Sequence, residues 1–355
     1  MVFKKLFGKK ADNSIPRGFH VLTVSKLAHL TSDSVKIEFE IPSELSSTFE
    51  FTPGQYITLA VDVEGEQLRR SYSICSAKNS DLAIGVKKVE NGRVSSYLNN
   101  QLKEGNSILV QAPEGRFVPD NTMNKVVAIA AGSGITPILS IAHQFNGNGE
   151  MKLFYGSKTE SNIMFKSELD DLNEIDKSYF LSQEEKEGFN HGRLTKDRFV
   201  EVIKSDLELL KSDAYFICGP EEMIMDVKEA LTLFGVHEDK IKFELFTTSE
   251  NAEEKKSEPS ISGKAKVEVE IDGEQVSFEL APKGASILTA VNEEGLDAPY
   301  SCQGGVCSTC RAKVIEGKAT MDVNYVLTDE EIAEGYILTC QAHPSTETLK
   351  VSYDD

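Results

Sequence analysis

The 355-residue sequence has no long uninterrupted run of apolar residues. Its most apolar stretch, residues 126–142, is broken by glycine, serine and proline and is too short to span a bilayer comfortably. Residues 1–14 contain four lysines but no continuous apolar segment, so they do not have the pattern of a secretory signal. These absences predict a cytoplasmic protein without a membrane span.

Basic residues are scarce as well, with 38 against 57 acidic residues and a formal net charge of -19. A nucleic-acid-binding protein needs lysine and arginine to meet the phosphate backbone, so nucleic acid is not the expected partner. The deficit is concentrated at the carboxyl end. Residues 249–355 carry 9 basic and 21 acidic side chains, against 15 and 14 in residues 1–120. An acidic end of this kind suits docking on a basic partner surface.

The pattern of short runs divides the chain into segments. Residues 17–120, which follow an amino-terminal tail of residues 1–16, contain alternating runs separated by turn residues such as PGQ, EGE and ENG. This pattern is typical of an antiparallel barrel or sandwich. Residues 121–246 begin with a continuous apolar strand, KVVAIAA, and then alternate strand-like and helical stretches, among them DRFVEVIKSDLELLK (197–211). Such alternation predicts a parallel sheet covered by helices.

The remaining sequence predicts a linker and a third domain. Residues 247–262 contain almost no large apolar side chains, so they are expected to form a flexible linker. Residues 263–355 open with a hairpin on an Asp-Gly turn, followed by a short helix that leads into a cysteine-rich loop. The fold class is therefore a multidomain combination of α+β and α/β parts.

Six cysteines in a reducing compartment are more plausible as ligands or reactive thiols than as disulfides. Four of them, Cys302, Cys307, Cys310 and Cys340, stand as C-x4-C-x2-C followed by a fourth cysteine 30 positions later. This is the plant-type spacing for a [2Fe–2S] cluster. A zinc site that uses the single C-x2-C and His343, or unligated thiols, are the alternatives. Residues 263–355 resemble plant-type ferredoxins, which implies a β-grasp fold.

The segment RRSYSICS (69–76), read alone, is a half-buried strand that carries arginine. Its run R-x-Y-S resembles the flavin motif of the ferredoxin–NADP reductase superfamily. The resemblance implies that Arg70 pairs with the FAD pyrophosphate, Tyr72 stacks on the isoalloxazine and Ser73 reaches flavin N5. GRVSSYL (92–98) resembles that family's second flavin motif, a turn that leads into a helix start. Its neighbourhood adds the candidate flavin residues Lys87, Val89, Gly92, Val94 and Ser95.

AAGSGITPIL (130–139) follows the apolar strand and opens a helix. A lone Gly-x-Gly is weak evidence for nucleotide binding. In the same superfamily, however, G-x-G-x-T-P and C-G-P-x-x-M hold the nicotinamide and pyrophosphate, and a strand after the glycine turn holds the adenosine ribose. The residues carried over are Gly132, Gly134, Thr136, Pro137, Tyr155, Gly156, Ser157, Lys158, Cys218, Gly219, Pro220 and Met223. Ser157 and Lys158 favour NADPH over NADH. Glu244 and Phe246 are implied to lie near the flavin, with Ser73, Cys218 and Glu244 as catalytic residues.

The three segments together resemble oxygenase reductases in which the ferredoxin domain comes last, such as those of phenylacetyl-CoA epoxidase systems. This resemblance implies an FAD-binding barrel over 17–120, an NAD(P)H-binding domain over 121–246 and a [2Fe–2S] domain over 263–355. Electrons would pass from NAD(P)H through FAD and the cluster to an oxygenase partner. Reductases of other oxygenases, desaturases or free ferredoxins are alternatives, and a non-catalytic metal-binding or scaffold protein is a remote one.

Overall fold

The structure, a computed structural model, describes residues 15–246 and 261–354. The predicted tail, 1–16, and the predicted linker, 247–262, lie almost wholly outside these ranges. The flexible linker therefore stays a prediction. Among the described residues, none of the helices is both long and apolar enough to cross a membrane.

The first part of the chain forms a six-stranded antiparallel sheet with one helix. The strands are β1 (Phe19–Thr31), β2 (Ser34–Glu40), β3 (Tyr56–Val63), β4 (Glu66–Ser73), β5 (Leu82–Lys87) and β6 (Ser107–Gln111), and the helix is α1 (Arg93–Asn100). The sheet order is β4-β3-β6-β1-β2-β5. A bridge between Ile74 and Ile84 joins the two outer strands, so the sheet curves into a barrel, as predicted.

Alternation along these strands fills the barrel interior. Residues such as Leu22, Ile37, Leu59 and Val110 are fully buried in one cluster, to which α1 contributes Leu98. Successive strand residues point to opposite faces, so every second position reaches this core and the others face outward. In β3 the outward positions Thr58 and Ala60 are buried as well, so this strand is covered on both sides.

The second part of the chain forms a parallel sheet with helices, as the alternating pattern predicted. Its strands are β7 (Lys125–Ala131), β8 (Glu150–Ser157), β9 (Ile175–Leu181), β10 (Asn190–His191), β11 (Ala214–Cys218) and β12 (Ile241–Glu244). Its helices are α2 (Ile135–Phe145), α3 (Lys166–Asp171), α4 (Lys196–Ser205) and α5 (Glu221–Leu233). The order β10-β9-β8-β7-β11-β12 places a topological switch between β7 and β11, where ligands of such sheets usually bind.

One predicted helix is shorter than expected. The stretch 197–211 was predicted as helical throughout, but α4 ends at Ser205 and residues Leu207–Lys211 form a 3₁₀ turn. Asp206 causes the break, because its carboxylate accepts a hydrogen bond from the Glu208 N–H at 3.2 Å and pairs with Lys152 at 3.0 Å. Short acidic side chains compete in this way with the backbone hydrogen bonds of the helix.

The third part is a mixed sheet with a helix packed on it. Its elements are β13 (Ala265–Ile271), β14 (Glu274–Leu280), α6 (Ile287–Glu293), β15 (Arg311–Glu316), β16 (Ala319–Met321), α7 (Asp329–Ala333), β17 (Tyr336–Leu338), β18 (Ala342–Pro344) and β19 (Thr348–Ser352). The main sheet has the order β14-β13-β19-β15-β17, and Ile287 and Val291 of α6 are buried in its core. This arrangement agrees with the expected β-grasp.

Candidate functional site

The carboxyl ends of four parallel strands place the predicted nicotinamide residues side by side. In the sheet register Cys218 pairs with Ala130 on one side and with Glu244 on the other, while Ala130 pairs with Tyr155. Because parallel strands end at the same edge, the turns after β7 and β11 meet directly at the topological switch. Residues separated by nearly ninety positions in the sequence thus share one edge of the sheet.

The glycine turn after β7 fits tightly against the end of β11. A Cβ atom at Gly134 would lie 2.0 Å from the Cys218 carbonyl oxygen, so no side chain fits there. Gly132 has φ of +54°, a left-handed conformation that favours glycine. The Thr136 hydroxyl donates to the Ser133 carbonyl at 2.9 Å and fixes the first turn of α2, which includes the buried Pro137. A narrow turn that opens a helix is a suitable cradle for a phosphate.

The end of β8 supports the same turn from the other side. The Tyr155 hydroxyl donates to the Gly132 carbonyl at 3.0 Å and accepts from the Met164 N–H at 3.3 Å. Gly156 and Ser157 then continue to the strand end, and Lys158 is exposed just beyond it. An exposed lysine at this edge is available to an anionic group of a bound nucleotide.

The turn after β11 leads into α5. A Cβ at Gly219 would approach the Met223 side chain to 2.6 Å, and Pro220 stands at the amino-terminal cap of the helix. Cys218 is fully buried, and burial together with the neighbouring Glu244 raises the pKa of its thiol. The thiol is therefore neutral near neutral pH.

A hydrogen bond joins the barrel to the parallel sheet at this edge. The Ser73 hydroxyl, at the end of β4, donates to Glu244 Oε2 at 3.1 Å. Burial raises the pKa of Glu244 to about 7, and the bond from Ser73 opposes part of that shift. Phe246, two residues further on, is 36% exposed. The three predicted catalytic residues, Ser73, Cys218 and Glu244, are therefore neighbours.

The other predicted flavin residues lie along β4 and around the start of α1. Arg70 is exposed and donates to the Arg69 carbonyl at 2.7 Å, whereas the half-buried Tyr72 packs against the barrel core. Burial raises the pKa of the Tyr72 hydroxyl. Lys87 pairs with Asp33 at 3.5 Å.

The turn before α1 is braced by its own serine. The Ser95 hydroxyl accepts from the Val89 N–H at 3.1 Å and donates to the carbonyl of Gly92, the cap of α1, at 3.3 Å. Val94 is buried in the barrel core, so its side chain does not face a ligand. Val89, in contrast, is 54% exposed. The turn offers backbone N–H groups and one exposed apolar surface.

The four predicted cluster cysteines form two close pairs. Cys302 and Cys307 lie 3.1 Å apart, Sγ to Sγ, and the Cys310 thiol is hydrogen-bonded to Cys340. The Gly304 N–H donates to Cys302 Sγ at 3.4 Å, and hydrogen bonds from Cys307 and nearby backbone N–H groups lower the pKa of Cys302 to about 6. Gly305, with φ of +71°, turns the loop back. Two thiol pairs suit two irons, each held by two thiolates.

Comparisons with known proteins agree with this geometry. Three family profiles match: the oxidoreductase FAD-binding domain over residues 21–118, the oxidoreductase NAD-binding domain over 128–229 and the 2Fe-2S iron-sulfur cluster binding domain over 269–345. A component of the 1,2-phenylacetyl-CoA epoxidase of Escherichia coli (strain K12) is 37% identical over 349 residues, which cover 95% of this chain and 98% of that protein. The chain belongs to the oxygenase reductases of the ferredoxin–NADP reductase superfamily.

Other members of the family are similar along nearly the whole chain. The ferredoxin reductase component of the 3-ketosteroid-9-alpha-monooxygenase of Rhodococcus rhodochrous is 32% identical over 96% of this chain and 99% of its own length. Among solved structures, phthalate dioxygenase reductase superposes with a TM-score of 0.61 at 23% identity over 94% of this chain and 98% of that chain. This oxygenase reductase is accordingly an NAD(P)H-dependent electron-transfer component that uses FAD and a [2Fe–2S] cluster.

The cysteine geometry favours the cluster over the zinc alternative. A mononuclear zinc site needs three or more protein donors around one point, and among residues 15–246 and 261–354 no three histidine, cysteine or acidic side chains converge in that way. His343, the histidine that the zinc alternative adds to the C-x2-C, belongs to no such group within the described part of the chain. A [2Fe–2S] cluster needs only two thiolates for each iron.

Sequence reasoning missed a set of residues that connect the barrel to the cluster loop. The Tyr56 hydroxyl lies 3.0 Å from Thr309 Oγ1, and Ser71 Oγ lies 2.6 Å from Ser301 Oγ. Arg69 pairs with Asp297 at 2.6 Å. The only sequence signal was that Arg69 and Ser71 alternate with the motif residues of β4. Alternation shows that they share a face, but it does not show what that face contacts.

Proposed function

We propose that this reductase serves an oxygenase of the phenylacetyl-CoA epoxidase type and acts in the cytoplasm. The observation that carries the proposal is the 37% identity to the Escherichia coli epoxidase component over 95% of this chain, with all three domains included. When bound, the flavin and the cluster supply the redox chemistry that turns a two-electron hydride into single-electron transfers.

In this proposal the protein's own groups hold the nicotinamide against the flavin. The turn Gly132–Gly134 and the start of α5 bind the dinucleotide, and Lys158 meets the ribose phosphate that distinguishes NADPH. Arg70 meets the flavin pyrophosphate, because a guanidinium suits paired phosphate oxygens. Ser73 and Glu244 form a hydrogen-bonded pair that can hold a proton beside the flavin ring. Tyr72 offers its aromatic face to that ring.

The cluster domain also carries a surface suited to a basic partner. Asp329, Glu330 and Glu334 of α7 and its carboxyl-terminal cap are exposed, as is Ile332 of the same helix, which is 42% exposed. A cluster of exposed acidic residues favours the steering of a partner that carries the opposite charge. We infer that the oxygenase binds here through a basic surface.

The test pairs the purified reductase with different oxygenase components. We expect NADPH-dependent epoxidation of phenylacetyl-CoA with the phenylacetyl-CoA epoxidase oxygenase. A ketosteroid 9α-hydroxylase oxygenase is the second candidate partner, because its reductase is 32% identical over 96% of this chain. Turnover with that oxygenase and none with phenylacetyl-CoA would overturn the proposal while leaving the electron-transfer chemistry intact.

A further inference from the structure

The hairpin of β3 and β4 presents two different faces. Its register pairs Tyr56 with Ser73, Thr58 with Ser71 and Ala60 with Arg69. Directly opposed residues share a face, and neighbours along a strand point to opposite faces. Arg69 and Ser71 therefore lie on the face opposite to that of Arg70 and Tyr72, two of the predicted flavin residues, whereas Ser73 at the strand end shares the face of Arg69. One strand serves two purposes.

The Arg69 face contacts the cluster-bearing domain. Ser71 meets Ser301, which immediately precedes the ligand Cys302, and Tyr56 meets Thr309, which immediately precedes the ligand Cys310. Because Tyr56 pairs in register with Ser73, these contacts hold the cluster loop one strand away from the predicted flavin-contacting serine. The interface thus fixes the position of the cluster loop relative to the Ser73 end of β4.

Arg69 is the charged centre of this interface. Its guanidinium lies between the Phe19 ring of β1, 5.0 Å from the centroid, and the Tyr300 ring of the cluster domain, 4.6 Å from the centroid. It pairs with Asp297 at 2.6 Å, and its side chain is only 6% exposed. Asp297 also accepts the Arg17 backbone N–H at 2.9 Å. A guanidinium stacked on aromatic rings and paired with a carboxylate is strongly oriented.

A second ion pair crosses the same boundary but is more exposed. Arg116 contacts Glu331 at 2.5 Å, and the two side chains are 52% and 14% exposed, against 6% for Arg69 and 40% for Asp297. Removing Asp297 leaves the guanidinium of Arg69 buried and uncompensated, whereas removing Glu331 leaves an arginine that water can solvate. The contact between Arg69 and Asp297 is therefore the stronger determinant of docking.

We propose that Arg69 and Asp297 are positioning residues that clamp the cluster-bearing domain against the barrel for the transfer of one electron from reduced flavin to oxidised cluster. The inference rests on the electron order of the proposed function, but it is independent of which oxygenase is served. Neither residue touches the nicotinamide turn, so the clamp acts on the second transfer and leaves the hydride step unchanged.

The test uses the holoenzyme with Asp297→Asn, which keeps the shape and removes the charge. In stopped-flow mixing with NADPH, flavin reduction should proceed at the wild-type rate, and cluster reduction should slow by about tenfold or more. Small-angle X-ray scattering of the same sample should give a larger radius of gyration, because the domain undocks. Asp297→Glu, which keeps the charge, should recover most of the rate.

The matched control is Glu279→Gln, which removes an exposed charge from the same domain at a contact with Lys264 within that domain. It should leave both kinetic phases and the radius of gyration unchanged. The proposal is overturned if cluster reduction in Asp297→Asn keeps the wild-type rate, if the control slows it equally, or if the radius of gyration does not change. Failure of the proposed function looks different, because NADPH would still reduce the cluster but no phenylacetyl-CoA would be epoxidised.

Discussion

Ser73 and Glu244 are 171 positions apart in the sequence, yet the serine hydroxyl donates to Glu244 Oε2 at 3.1 Å across the boundary between barrel and parallel sheet. This bond joins the end of the flavin-motif strand to the edge that carries Cys218 and the glycine turn. The position of one domain against the other is thus fixed at the place where hydride transfer is proposed. The chemistry of this hydrogen bond depends on whether Glu244 is charged.

We expect Glu244→Gln to change how stability depends on pH. The pKa of Glu244 in the folded protein is raised to about 7 from an ordinary 4.5, so the folded state binds more protons here than the unfolded state between these values. The stability from the neutral carboxyl is complete below pH 4.5 and is lost as pH rises through 7. Across this range the wild type should lose about 1–2 kcal/mol relative to the variant, after a discount for partial exposure.

Urea unfolding at several pH values measures this difference. Glu187→Gln, an exposed position, is the control and should track the wild type. Parallel pH profiles for wild type and Glu244→Gln would show that the carboxyl does not titrate differently in the folded protein.

The two glycines of the turn after β7 should respond differently to alanine. At Gly134 a Cβ would lie 2.0 Å from the Cys218 carbonyl, so Gly134→Ala should cost about 2–4 kcal/mol and weaken nucleotide binding. At Gly132 nothing lies within 4 Å of a Cβ, and only φ of +54° opposes alanine, so the cost should be about 1 kcal/mol. Equal losses in denaturant unfolding would contradict the close approach to β11.

Arg70→Ala should weaken retention of FAD. Loss of one charge-assisted contact to a pyrophosphate should raise the dissociation constant about tenfold to a hundredfold. Flavin fluorescence after dilution measures the released cofactor. Lys78→Ala removes an exposed positive charge from a loop of the same barrel and should leave FAD bound; unchanged occupancy in Arg70→Ala would remove that residue from the flavin site.

Lys158→Ala should affect NADPH more than NADH. The exposed lysine stands just beyond the carboxyl end of β8, where a 2′-phosphate would be met. Loss of one such ion pair should raise the KM for NADPH about tenfold with little change for NADH. Steady-state assays measure the KM for both nucleotides, and an equal rise in the KM for NADH would assign Lys158 a structural role.

Cys307→Ser should separate the two halves of the electron path. Without one ligand of the Cys302–Cys307 pair, the cluster is not held, so cytochrome c reduction should fall by more than about tenfold. Flavin reduction by NADPH should continue. Cytochrome c reduction that survives in protein shown by its spectrum to lack the cluster would show that electrons leave from the flavin and would contradict the proposed order.

The sequence predicted the elements more completely than their contacts. Alternation in residues 17–120 identifies the barrel, because burial on one side of a strand imposes a period of two. The spacing of Cys302, Cys307 and Cys310 identifies the cluster loop, because three ligands that lie within nine positions of the sequence can be supplied by a single loop. The break at Asp206 was missed because its carboxylate bonds to a backbone N–H in competition with the helix.

Contacts between residues far apart in the sequence could be predicted only where the resemblance to a known family implied them. Ser73 and Glu244 were expected near the flavin because the family places them there, although no pattern in the sequence links them. Arg69 and Asp297, 228 positions apart, belong to no motif, so their contact appears only in the fold. An ion pair between domains leaves no periodic signal, because each partner occupies an ordinary surface position of its own domain.

The two-faced hairpin of β3 and β4 has a consequence for building chimeric reductases. A designer who wishes to attach a different iron–sulfur module can begin with the hairpin positions that contact the cluster-bearing domain, Tyr56, Arg69 and Ser71. Arg70, Tyr72 and Ser73 can be retained, so the flavin chemistry of the host need not be rebuilt. Different iron–sulfur domains could then be attached to the same flavin- and nucleotide-binding domains, each chosen for the electron acceptor that it serves.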